Sequence, residues 1–129
     1  MNENILDVGF VNFSKRERFL FSSYLPVDRI VETVQSFLID LCETLKKEGC
    51  KLIGHIKVLL NAGPSGFFFI SVTSFDQIPK LKGEMGNEIL EVTLTINAIV
   101  YDFNETLLKQ LINQKLQTLC KLLKDGNGG

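Results

Sequence analysis

Apolar and polar residues change their period several times along this chain, and each change marks an element. Residues 5–13 (ILDVGFVNF) and 17–24 (ERFLFSSY) read as two strands joined at Ser14–Arg16, because apolar and aromatic residues recur on either side of a charged break. Pairing Phe13 with Glu17 sets Val11 opposite Phe19 and gathers Val11, Phe19 and Phe21 on one face. From Pro26 the period lengthens: Ile30, Val31, Val34, Phe37, Leu38, Leu41, Cys42 and Leu45 recur at helical spacing. Lys46 and Lys47 suit the negative end of the helix dipole and Gly49 suits a stop, which predicts a helix over Pro26 to Glu48.

Alternation returns at Leu52. Counting every second residue puts Leu52, Gly54, Ile56, Val58 and Leu60 on one face, and Ile53, His55, Lys57 and Leu59 on the other. Asn61 to Ser65 (NAGPS) supplies turn residues, and beyond it Phe68, Ile70 and Val72 alternate with Phe67, Phe69, Ser71 and Thr73, so the pair reads as a hairpin. Residues 75–87 (FDQIPKLKGEMGN) carry Pro79, Gly83 and Gly86 and read as a long connection. The cleanest alternation follows at Glu88 to Tyr101, with Leu90, Val92, Leu94, Ile96 and Ala98 on one face and Glu91, Thr93, Thr95 and Asn97 on the other. Asn104 suits the cap of a last helix whose stripe is Leu108, Leu111, Ile112, Leu116, Leu119, Cys120 and Leu123.

The expected order is therefore β–β–α–β–β–β–α. Two helices with one apolar stripe each, and strands with one aliphatic face each, predict an α+β two-layer sandwich: an antiparallel sheet with both helices packed on one face. Residues 1–124 read as a single domain and 125–129 (DGNGG) as a flexible tail.

Composition narrows the function classes. A chain of 129 residues with 45% hydrophobic and 22% charged residues fits one globular domain able to bury a core. A net charge of −1 offers no general field for nucleic acid. Met1 to Asp7 lacks a basic n-region and an apolar h-region, and no run is long enough for a membrane span, so a cytoplasmic protein without membrane contact is expected. Cys42, Cys50 and Cys120 form no CxxC pair and read as reduced thiols.

The second face of the predicted sheet is where candidate chemistry collects. It carries His55, Lys57, Phe67, Phe69, Ser71, Thr73, Glu91, Thr93 and Thr95, provided Lys57 lies opposite Phe69 or Ser71. If solvated, this face makes His55 an ordinary surface residue; if it docks a partner, Phe67 and Phe69 are the anchors. A second histidine, HExxH, GxSxG and GxxxxGK[ST] are all missing from the sequence, so catalytic motifs give no support to an enzyme. His55, Cys50 and Glu91 are the residue types that bind a divalent metal, at unspecific spacing. GFFFISV at Gly66 to Val72 has the alternate aromatics of an RNA-recognition strand, but no basic residue precedes it and the element order differs, so nucleic acid is not expected as a partner.

KLIGHIKVLL, a Gly-containing turn, FFFISVTS, a variable loop and LEVTLTINAIVYDFNETLLKQLI together resemble the C-terminal domain of CobW-type GTPases over Pro26 to Leu123. That family couples nucleotide hydrolysis in an N-terminal domain to delivery of a metal or metallocofactor. This sequence has neither a phosphate-binding loop nor a CxCC metal motif, so GTPase activity and the main metal site do not carry over. The resemblance implies a non-catalytic accessory module in metal or corrinoid delivery, whose partner is a GTPase domain in trans, a client protein or a second copy. The alternative is a small protein that binds a divalent metal or corrinoid through the His55 face.

Overall fold

The computed structural model describes residues 10–128, with side chains from Val11 to Lys124. The fold is α+β: a five-stranded antiparallel sheet with two helices packed on each other and on the sheet. The elements are β1 (Phe10–Pro26), α1 (Val27–Lys47), β2 (Leu52–Asn61), β3 (Gly66–Val72), β4 (Lys80–Met85), β5 (Glu88–Tyr101) and α2 (Glu105–Gly128). In space the strands run β1-β5-β2-β3-β4, so the last strand is inserted between the first two.

Two elements differ from expectation, and the order becomes β–α–β–β–β–β–α. The expected first hairpin is one 17-residue strand. Phe13 and Glu17 do not pair with each other; they pair with Ala98 and Leu94 of β5. The segment Ser14 to Arg18 (SKRER) has no Gly, Asn, Asp or Pro to turn the chain, so extended pairing with β5 wins. Val11, Phe19 and Phe21 still share the inner face, through simple alternation along one strand. The part of the expected strand before Phe10 lies outside the described residues. The second difference is β4, which forms inside the expected connection and pairs with β3 from Ser71↔Lys80 to Gly66↔Met85.

Helix α1 buries Ile30, Val31, Val34, Phe37, Leu38, Leu41, Cys42 and Leu45, the stripe its spacing predicts. It ends in a Schellman motif: the N–H of Gly49 donates to Lys46 O (3.1 Å) and that of Cys50 to Leu45 O (2.9 Å), with Gly49 at φ 98°. Asn104 caps α2 by accepting the Leu107 N–H on Oδ1 at 2.8 Å. The helices are antiparallel, since Arg29 reaches Leu122 O (3.2 Å) and Lys115 pairs with Asp40 (2.7 Å). The helical backbone continues to Gly128, while the side chains of the expected tail at 125–129 lie outside the described residues.

The core lies between the helices and the inner sheet face. Val92, Leu94, Ile96, Ala98 and Val100 of β5 are all at most 1% exposed, because this strand is flanked on both sides and covered by the helices. Two bulges correct the expected faces. An extra residue at Gly54 shifts the β2–β5 register between Ile53 and His55, which buries Ile53 and turns Leu52 outward. A longer irregularity between Leu20 and Leu25 of β1 accompanies burial of Ile89 and exposure of Leu90. The core contains no buried polar side chain among the described residues.

Candidate functional site

Register builds the open face of the sheet row by row, because residues directly opposite in antiparallel strands point the same way. The first row is Ser14, Asn97, Lys57, Ser71 and Lys80; the second is Arg16, Thr95, Leu59, Phe69 and Lys82; the third is Arg18, Thr93, Asn61, Phe67 and Glu84. Lys57 lies opposite Ser71, as a polar face requires. The face therefore brings together Lys57, Phe67, Phe69, Ser71, Thr93 and Thr95. Arg16, Arg18, Lys80, Lys82 and Glu84 join them from strands whose place in the sheet was not expected.

His55 has a partner within the fold. Its Nε2 lies 2.9 Å from Asn97 Oδ1, while Asn97 Nδ2 donates to Asn12 Oδ1 (3.0 Å) and Ser14 Oγ (2.5 Å). With the amide nitrogen donating twice, Asn97 Oδ1 is the acceptor, so Nε2 of His55 carries the proton. The half-buried imidazole thus closes a polar chain across β2, β5 and β1, next to the bulge at Gly54.

The three metal candidates are not brought together. Cys50 is buried at the end of α1, where its Sγ contacts Leu52 O at 3.7 Å. Burial pushes its thiol up, against a smaller lowering by a backbone hydrogen bond at Leu52. Glu91 is paired with Arg18 at 2.5 Å, and position 91 lies roughly 20 Å along β5 from the Asn97 that holds His55. No group of three His, Cys, Asp or Glu side chains able to hold a metal ion occurs among the described residues.

Phe67 and Phe69 are the large apolar groups at the centre of this surface, 47% and 36% exposed. Their rings meet edge to face, with centroids 5.5 Å apart and planes at 76°. The Lys57 ammonium stands 5.5 Å from the centre of the Phe69 ring. Beside them lies an open basin of about 340 Å³ bounded by Lys57, Phe69, Ser71, Thr73, Lys80 and Lys82. Thr73 is held at its rim by two hydrogen bonds into the Gln77 side-chain oxygen, from its N–H (2.6 Å) and its hydroxyl (2.9 Å).

The sequence reading missed Lys80 and Lys82. Alternating lysines in KLKGEM are a signal of a protected edge strand, a composition that also suits a loop.

The class defined by fold and surface is a two-layer α+β domain with one closed and one open sheet face. Comparison with family models, curated proteins and solved structures gave no match to this chain. No helix among the described residues is long and apolar enough to cross a membrane.

Proposed function

We propose that the chain is a non-catalytic binding module that docks a protein partner on the open face of its sheet. The observation that carries this reading is the exposed Phe67–Phe69 pair, braced by Lys57, on a face whose other positions are mostly polar. Adjacent aromatics in water forgo hydrophobic stabilisation that a partner would supply, and the surrounding Ser, Thr and Lys side chains form a polar rim of the kind found around interface anchors. His55 serves this function structurally, by fixing Asn97 and with it the pitch of β1, β5 and β2 beneath the surface.

The CobW-like segments supply β2, β3 and β5, which make up most of this face, and the implied role is an accessory module that meets a GTPase domain or a client in trans in the cytoplasm. Cofactor binding through His55, Cys50 and Glu91 gains no support from their separate positions.

Site-specific photocrosslinking tests the reading. A photoreactive phenylalanine analogue at position 69 is expected to give discrete protein adducts in cells, and the same group at Ile39, exposed on α1, to give none. Adducts from position 39 alone would place the working surface on the helices and overturn the proposal.

A further inference from the structure

We propose that the partner segment received by this face is acidic, its carboxylates seating in the basin between Lys57, Lys80 and Lys82. This rests on the docking reading above and gives its partner a chemistry.

The register sets Lys57 and Lys80 on either side of Ser71 in one row, and Lys82 beside Phe69 in the next. Neighbouring strands are about 4.8 Å apart, so ammonium groups on flexible stems from these positions converge on one anion without backbone movement. None of the three forms an ion pair with a described residue, whereas Arg18 on the same face is paired with Glu91. Arg16, Arg18, Lys57, Lys80 and Lys82 stand against Glu84, Glu88 and Glu91 on the paired strands, on a chain whose net charge is −1. Positive charge is therefore segregated onto this face, a field that steers an anionic partner and opposes a cationic one.

A second copy and single-stranded nucleic acid fit this surface less well. A second copy docked by a two-fold axis would bring like charges together. Single-stranded nucleic acid needs ring faces free for stacking, and here the two rings are edge to face with an ammonium over one of them. An acidic segment with an apolar residue satisfies both halves of the site: the carboxylates meet the lysines and the apolar side chain covers Phe67 and Phe69.

The test is selection of a random dodecapeptide display library on the immobilised full chain, followed by anisotropy titration of an enriched peptide. Enriched sequences are expected to carry Asp or Glu beside an apolar residue. Affinity should fall at least tenfold in Lys80→Glu/Lys82→Glu and in the Phe67→Ala/Phe69→Ala variant, and stay within twofold in Lys121→Glu, an exposed site on α2. Circular dichroism of each variant confirms the fold. Enriched peptides without acidic residues, or equal affinity after the double charge reversal, would overturn the acidic specificity. Loss in the phenylalanine variant alone would then leave docking on this face standing, and no loss in either variant would remove both readings. Tighter, competitive binding of oligouridylate or of phosphatidylserine vesicles would also overturn an acidic peptide as the ligand.

Discussion

The two faces of the sheet are made by the same strands and have opposite characters. On β5, Ile96 is fully buried under the helices while its neighbour Thr95 lies between Arg16 and Leu59 on the open side. The closed face is aliphatic and aromatic except for Lys15 and Glu17 at its β1 edge, and contains no buried polar side chain among the described residues. The open face mixes lysines, hydroxyls and two exposed phenylalanines. On the proposed reading stability and binding fall on opposite sides of one sheet, and side-chain alternation keeps them apart.

The largest break of that comparison is expected on the closed face. Ile96→Ala should lose roughly 2–5 kcal/mol by urea unfolding, through lost transfer energy and a residual cavity, while Thr95→Ala stays within about 0.5 kcal/mol. Equal losses would mean that the open face is as tightly packed as the core.

Gly83 comes next, since it joins the lysine edge to β3. It lies at φ 118°, and a Cβ there would approach Phe67 O to 2.3 Å. Gly83→Ala is expected to cost about 2–3 kcal/mol in the same measurement, from backbone strain and a contact with main chain that cannot turn away.

A titration separates the faces in another way. Burial pushes the Cys42 thiol from its ordinary 9.0 to about 11, with smaller contributions from Cys50 and Glu43. The raised value favours the neutral thiol in the folded state, so its stabilisation is complete below about pH 9 and disappears as pH rises to about 11. The loss across that window is about 2–3 kcal/mol at 1.36 kcal/mol per pH unit. Cys42→Ala should be less stable at neutral pH yet show a shallower alkaline decline; an unchanged slope would exclude Cys42 as its source.

What was legible in the sequence follows the same division. The stripe of α1 and the bounds of β5 could be read because one buried side imposes a strong period on the residues. The edges gave weaker signals. β1 carries Lys15 and Glu17 at inward positions, where Lys15 reaches Asn113 at 2.9 Å, so the strand interrupts its own apolar pattern and looks like a turn. β4 has Lys and Gly where a central strand would have aliphatic residues. Strict counting puts Leu52 and Leu90 on the buried face because it cannot register a bulge. The site was legible as far as β2, β3 and β5 define it; its lysine rim required knowing that Lys80 and Lys82 form a strand.

The claim that the open face is the working surface is tested most directly by mapping backbone amide shifts as an enriched acidic peptide is added. Saturable shifts at Lys57, Phe67, Phe69, Lys80 and Lys82, with α1 and α2 unchanged, are the expected result. Shifts confined to the groove between the helices, at Thr33, Phe37, Leu119 and Leu122, would contradict it and move binding to the opposite side of the molecule.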